Sequence, residues 1–121
     1  MGMIASGCNK NKPFAILSRE PIREETQFER IFPENTRIYY AVVSPKGFKN
    51  NVLRVQIIKK DEKSEFWGYA YHRSEDYQIK NPYYFTNYIV LSQSGQYFLR
   101  VFEKHNLNTP IVHEGFWVKS Y

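Results

Sequence analysis

The chain is divided into short apolar runs that turn-forming residues separate. In Leu53–Ile57 the apolar residues occupy every second position, and in Tyr97–Val101 the residues Tyr97, Leu99 and Val101 share one side. This period of two predicts β-strands with one buried face. The predicted strands are Phe14–Ser18, Phe28–Phe32, Thr36–Ser44, Val52–Lys59, Glu65–Arg73, Tyr84–Ser92, Gln96–Lys104 and Ile111–Lys119.

Turn-forming residues connect these runs. Ser44–Gly47 combines Pro and Gly, Lys60–Ser64 is a charged hairpin connection, and Ser92–Gly95 and Asn106–Pro110 close two more strands. The polar stretch Glu20–Arg30 predicts a short helical turn or a loop. Seven or eight short strands at this spacing predict an all-β sandwich or barrel.

Composition supports one strand-rich domain. The chain has 121 residues, with ten Tyr, nine Phe and two Trp, and such aromatic side chains favour strands. Its one cysteine cannot form an internal disulfide, so the core alone stabilises the fold. We interpret residues 1–12 as a leader and flexible tether, and residues 13–121 as the folded domain.

The positive charge is concentrated in one half of the sequence. The net charge is +5, and residues 1–60 carry eleven Lys or Arg against five Asp or Glu. Such an excess suits an anionic membrane surface or a nucleic acid, and it also suits plain solubility. Because Lys and Glu are interspersed, the pattern favours solubility.

One segment resembles a known fold family. Ser94–Val101 is similar to the start of strand F in immunoglobulin-like domains, where Gly-x-Tyr opens the strand and the Tyr hydroxyl bonds back to nearby backbone. Leu99 stands where antibody domains have their second cysteine, and Trp67 is a candidate for the central core tryptophan. The resemblance implies an antiparallel immunoglobulin-like β-sandwich of seven to eight strands without a disulfide.

The N-terminal residues resemble a second family. Ile4–Cys8 is similar to a bacterial lipobox, with Ser6 and Gly7 as the small residues before the cysteine. The resemblance implies that the Cys8 thiol receives diacylglycerol and that Cys8 becomes the first residue after cleavage. Seven residues precede Cys8, so this interpretation expects a longer leader upstream. It predicts a membrane-anchored protein of the bacterial cell envelope, at the outer membrane or the cell surface.

The same residues allow two other interpretations. Met1–Ser6 fits the N-myristoylation pattern, in which Gly2 is acylated and Cys8 is a candidate for palmitoylation. Two lipid chains hold a protein stably where one does not, and Lys10 and Lys12 would add attraction to anionic lipid. The remaining interpretation is that Cys8 is an ordinary residue of the leader.

The sequence offers no pattern typical of catalysis. His72, His105 and His113 lack ligand partners at metal-binding spacing, and no glycine-rich phosphate loop occurs. Cys8 in a flexible leader would lack the neighbouring base that a nucleophile needs. We therefore predict a non-enzymatic protein without a cofactor or metal.

Binding is the remaining class of function. If Tyr97, Leu99 and Val101 point inward, the residues between and after them point outward, and exposed aromatic side chains beside an Arg can bind protein. The alternative is that neighbouring segments cover these rings or that they pack in the core. The candidate binding residues are Phe98, Arg100, Phe102, Tyr83 and Tyr84.

These observations predict an adhesion or binding module for another protein. One rival is an oligonucleotide-binding β-barrel, since basic charge with many aromatic rings is typical of that fold. The aromatic residues mostly follow the core alternation, however, so nucleic acid is the less favoured partner. Another rival is an inhibitor or accessory subunit that uses edge loops such as Asn106–Pro110.

Overall fold

The computed structural model describes residues 11–60 and 69–120, and every regular element in these ranges is a β-strand. No helix among these residues is long and apolar enough to cross a membrane. The strands are β1 (Phe14–Ser18), β2 (Ile31–Pro33), β3 (Arg37–Val43), β4 (Val52–Lys60), β5 (Tyr69–Gln78), β6 (Tyr84–Val90), β7 (Gly95–Glu103) and β8 (Val112–Lys119).

The strands form two sheets. A three-stranded sheet has the order β1-β3-β6, and a five-stranded sheet has the order β2-β8-β7-β4-β5. The predicted all-β sandwich is confirmed. One pair departs from the antiparallel prediction, because β2 runs parallel to β8 with Ile31 opposite Trp117. This pair arises where the chain leaves the small sheet after β1 and joins the large one.

The core lies between the sheets and follows the predicted alternation. Leu53, Val55 and Ile57 of β4 are buried, as the period of two requires. They face the inward residues of the small sheet, among them Leu17 and Ile38, which are fully buried. The alternating apolar positions therefore identify the buried face of both sheets.

The tyrosine corner expected from the immunoglobulin-like resemblance is present. The Tyr97 hydroxyl donates a hydrogen bond of 2.8 Å to the carbonyl of Gln93, just before β7. The Tyr97 ring stacks on Phe116 at 5.7 Å. Leu99, at the position where antibody domains have their second cysteine, is fully buried. Trp67 lies outside the described residues.

Two predicted boundaries are wrong. The strand predicted to end at Arg73 continues to Gln78, although Ser74–Gln78 is polar. This extension is stable because β5 is an edge strand with exposed polar side chains, and Asp76 forms an ion pair with Arg54 of β4. At the other boundary, β2 starts only at Ile31, and the preceding chain forms a loop.

The predicted turn and loop between strands agree with the structure. In Ser44–Gly47 the Gly47 amide donates to the Ser44 carbonyl at 3.0 Å, and Gly47 has φ of 90°, which favours glycine. The segment 20–30 is a loop, not a helical turn, and its Glu29 amide donates to the Leu17 carbonyl at the edge of β1. The predicted hairpin connection at Lys60–Ser64 lies almost wholly outside the described residues.

Candidate interaction surface

The outward side of the three-stranded sheet is aromatic and apolar. Strand pairing places Phe14, Val43 and Tyr84 in one row across the sheet, and Ser18, Tyr39 and Tyr88 in another. We call this surface the tyrosine face. It consists of Phe14, Ile16, Ser18, Arg37, Tyr39, Ala41, Val43, Tyr84, Thr86, Tyr88 and Val90.

One end of the tyrosine face is ordered by contacts to one arginine. The rings of Tyr39 and Tyr88 lie 5.7 Å apart, and the Arg37 guanidinium carbon lies 4.6 Å from the centre of the Tyr88 ring. Arg37 Nη1 also donates to the Tyr39 hydroxyl at 3.4 Å, and this hydrogen bond raises the pKa of Arg37 above its ordinary value. A charged guanidinium stacked on tyrosine gives the face a fixed, charged contact point.

The composition of the tyrosine face differs from that of an ordinary solvated sheet face. Phe14, Tyr84, Tyr88 and Val90 are between 43% and 51% exposed. None of the outward positions on β1, β3 and β6 is Lys, Asp or Glu. Enrichment in Tyr and Arg together with depletion of Lys, Asp and Glu is the signature of the centre of a protein–protein interface.

The outward side of the five-stranded sheet is different. Arg54, Asp76 and Lys104 form an ion-pair network there, with Asp76 accepting at 2.7 Å from each cation. Hydrogen bonds from Arg54 and then Lys104 hold the pKa of Asp76 well below its usual range. These side chains link β4, β5 and the residue after β7, and they form a charged part of a face that also carries Phe98, Phe102 and Trp117.

The predicted binding residues of β7 lie on this charged face. Phe98 is half-buried, with its ring over Gly115 and 5.0 Å from the His113 ring, and Arg100 Nε donates to His113 Nδ1 at 3.3 Å. Phe102 is predicted to project into solvent, but the structure buries it, with only 7% of the residue exposed. Its cross-strand neighbour is Arg54, so the ion-pair network lies on the same side of the sheet.

The other predicted pair is exposed. Tyr83 and Tyr84 lie where β6 begins, and the Tyr83 amide donates to Asn81 Oδ1 at 2.8 Å. Tyr84 belongs to the tyrosine face, whereas Tyr83 lies beyond its border near the turn at Gly47. The structure thus separates the five predicted residues into two groups at different places.

Sequence reasoning missed Phe14, Tyr39 and Tyr88. A signal was present, because the run Tyr84–Leu91 carries apolar residues on both faces. A second apolar face on a half-buried strand indicates that its outward side is also covered or used. Which other strands extend that face depends on the pairing of β1, β3 and β6.

The loop after β1 forms a polar cleft of about 470 Å³. Glu29 accepts hydrogen bonds there from the Arg19 amide and the Ser18 hydroxyl, and its ion pair with Arg19 measures 2.9 Å. The Arg19 amide is the main cause that lowers the pKa of Glu29. These groups satisfy one another, so the cleft is explained as a structural connection between the loop and β1.

The described histidines do not gather ligands. No group of three His, Cys, Asp or Glu residues in 11–60 and 69–120 could hold a metal ion. His105 Nδ1 lies 3.5 Å from Glu103 Oε2, and His113 contacts Arg100 on another face. Both predicted lipid acceptors, Cys8 and Gly2, lie outside the described residues.

Comparison with known proteins adds a fold neighbour. The sequence matches no protein-family model and no curated protein. A crystal structure of the PmoD soluble domain from Methylocystis sp. ATCC 49242 (Rockwell) is similar in fold, with a TM-score of 0.54 and 12% sequence identity. The match covers 91% of this chain and 93% of the other. At this identity the likeness concerns the fold alone.

Proposed function

We propose that this protein is a non-enzymatic, lipid-anchored domain of the bacterial cell envelope that binds another protein through the tyrosine face. The observation that carries the proposal is the composition of that face. Tyr39, Tyr84 and Tyr88 present rigid rings that lose little entropy on binding, and Arg37 adds a charged anchor among them.

A protein is the partner that this surface fits best. A nucleic acid would need several cations beside the rings, because phosphate contacts supply most of that affinity. The tyrosine face offers only Arg37, and the guanidinium already stacks on Tyr88. An aromatic face depleted of Lys, Asp and Glu suits a protein surface instead.

The lipid anchor is proposed from the lipobox-like residues Ile4–Cys8. Cys8 precedes the first residue of β1, Phe14, by six positions. A lipid on Cys8 would hold the sandwich close to a bilayer and leave the sheet faces accessible from the side. The fold neighbour, described as a soluble domain, is compatible with such a module.

Intact-mass analysis tests the anchor. The protein is isolated from its native membrane fraction beside a Cys8→Ala variant. We expect a mature chain that begins at Cys8 and carries diacylglycerol, and we expect the Cys8→Ala variant to lack this added mass. Acyl mass on Gly2 would instead identify the myristoylated form, and an unmodified chain would remove both anchors.

Site-specific photo-crosslinking tests the binding surface. A photoreactive phenylalanine analogue replaces Tyr84 or Tyr88 in native cells, and Ser74 on the other sheet serves as the control position. We expect one crosslinked protein from both tyrosine positions and none from Ser74. Mass spectrometry of the crosslinked product then identifies the partner.

Affinity for the purified partner completes the test. Tyr88→Ser should weaken binding about tenfold or more, as substitutions at the centre of an interface do. Trp117→Ser, which removes an exposed ring from the other sheet, should change the affinity less than about twofold. Equal losses in both variants, or a dimer of this chain that Tyr88→Ser dissociates, would contradict the proposal.

A further inference from the structure

One end of the sandwich carries four lysines from three separate segments. A cleft of about 400 Å³ is lined by Lys12, Lys46, Lys49 and His105, and a second cleft of about 270 Å³ is lined by Lys49 and Lys80. Lys49 belongs to both clefts, so the four lysines form one continuous surface. We call the surface of Lys12, Lys46, Lys49 and Lys80 the basic end.

The one acidic residue near the basic end, Glu103, does not neutralise its lysines. The segments at the basic end are residues 11–13, 44–51, 79–83 and 103–111. Glu103 supplies the one carboxylate in these segments, and it is 6% exposed. Its Oε2 accepts from the Lys49 amide at 3.0 Å and lies 3.5 Å from His105 Nδ1. Glu103 is therefore occupied by contacts of its own, and Lys12, Lys46, Lys49 and Lys80 are exposed.

A loop at the opposite end of the sandwich carries charges of both signs. This loop, residues 19–30, carries three arginines and four glutamates, which are Arg19, Arg23, Arg30, Glu20, Glu24, Glu25 and Glu29. Arg19 and Glu29 are also paired with each other at 2.9 Å. The charges of this loop nearly balance, whereas the basic end carries four lysines beside one buried carboxylate.

Exposed apolar side chains accompany the lysines. Tyr83 and Leu107 are both exposed at this end, and the Tyr83 ring lies beside the turn at Gly47. Tyrosine is enriched at the depth of lipid headgroups, where its ring is buried and its hydroxyl stays hydrated. Lysine beside tyrosine and leucine is the combination that a membrane interface selects.

We propose that the basic end lies on an anionic bilayer and binds lipid headgroups. The inference rests on the proposed function for its second support, the lipid on Cys8. That residue precedes Phe14 by six positions, which span at most about 22 Å of extended chain. Because β1 starts at the basic end, the anchor would bring this end, and not the opposite one, to the membrane.

Vesicle co-sedimentation tests the basic end separately from the anchor. The 121-residue chain, produced without lipid modification, is mixed with vesicles of phosphatidylcholine alone or of phosphatidylcholine and phosphatidylglycerol in equal parts. We expect binding to the anionic vesicles only, weakening as salt is raised. The combined variant Lys46→Gln, Lys49→Gln and Lys80→Gln should bind roughly a hundredfold more weakly at low salt, since each lysine contributes about fivefold.

A matched variant removes the same charge from the opposite end. Arg23→Gln, Lys60→Gln and Lys119→Gln together lower the net charge by the same amount at exposed positions. This variant should bind anionic vesicles within about threefold of the unmodified sequence. An equal loss in both variants would overturn the inference, because binding would then follow net charge alone.

Two further results separate the remaining causes. Tyr83→Ser with Leu107→Ser should weaken vesicle binding by a factor that does not change with salt, as insertion of apolar groups requires. Tighter binding of a single-stranded oligonucleotide than of anionic vesicles, lost in the lysine variant, would overturn the inference in favour of nucleic acid. Failure of lipidation at Cys8 leaves the vesicle result unaffected, so the two proposals fail separately.

Discussion

Two buried tyrosines, Tyr40 and Tyr97, differ in the hydrogen bonding of their hydroxyl groups. The hydroxyl of Tyr97 donates to the Gln93 carbonyl and closes the turn before β7. The hydroxyl of Tyr40 is buried without a hydrogen-bond partner in the part of the chain that the structure describes. Burial also raises the pKa of Tyr40, which stays a neutral phenol.

Tyr97→Phe should lower the free energy of unfolding by about 1 kcal/mol. The substitution keeps the ring on Phe116 and removes the hydrogen bond to the Gln93 carbonyl. Urea denaturation with an unchanged m-value measures the loss. A loss below about 0.3 kcal/mol would show that the tyrosine corner contributes little to stability here.

Tyr40→Phe should raise the free energy of unfolding or leave it unchanged. Removing an unpartnered buried hydroxyl removes its desolvation cost and retains the ring contact with Phe85 at 6.2 Å. The same urea experiment checks it, with Tyr97→Phe as the paired reference. A loss as large as that of Tyr97→Phe would reveal a hydrogen bond or bound water at Tyr40.

His113 should make the free energy of unfolding decrease as the pH falls below about 6.5. Desolvation, and then the charge of Arg100, lower the pKa of His113 below its ordinary value of 6.5. The unfolded chain therefore binds the proton more readily in this window, and unfolding is favoured. His113→Gln should reduce the slope of unfolding free energy against pH, and an unchanged slope would contradict this.

At the scale of elements, the short strand β2 depends on one side chain. Phe32 is fully buried and meets Phe116 edge-to-face at 6.0 Å, whereas its neighbours Ile31 and Pro33 face outward or lie half-buried. A strand of three residues has few ladder hydrogen bonds, so its position follows mainly from the burial of Phe32. The parallel pairing with β8 is thus held by a core contact.

Phe32→Ala should cost about 3–5 kcal/mol of unfolding free energy, because it leaves a cavity between the sheets. Ile31→Ala on the exposed side of the same strand should cost less than about 1 kcal/mol. Thermal and urea unfolding of the two variants measure the difference. Similar costs would mean that β2 is held by its backbone pairing instead of by Phe32.

At the scale of the whole molecule, the two proposed surfaces lie on different sides of the sandwich. The tyrosine face covers the outward side of the small sheet, and the basic end covers the loops at one end of both sheets. With its basic end on a bilayer, the domain would present the tyrosine face sideways to a partner. Membrane contact and partner binding would therefore take place together.

We expect the two surfaces to be energetically independent. Tyr88→Ser should leave vesicle binding unchanged, and Lys46→Gln with Lys80→Gln should leave affinity for the partner unchanged in solution. In the combined variant the two free-energy losses should add within about 0.5 kcal/mol, as for distant sites. A coupling well above that value would show that the surfaces share a ligand or a conformational change.

The sequence by itself determined the elements and the sandwich. Alternation in Leu53–Ile57 and Tyr97–Val101 marks the buried faces, and the Gly-x-Tyr of β7 marks the corner, because both patterns depend on neighbours along the chain. The continuation of β5 through Ser74–Gln78 was not predictable in this way. Its polar residues are held by pairing with β4, which is a distant part of the chain.

Only the tertiary structure decided where the surfaces lie. Phe14, Tyr39 and Tyr88 come together because β1, β3 and β6 pair, and Lys12, Lys49 and Lys80 come together because three loops meet at one end. The burial of Phe102 likewise depends on neighbouring strands. Periodicity tells which side of a strand a residue occupies, whereas the content of a surface depends on contacts between residues far apart in sequence.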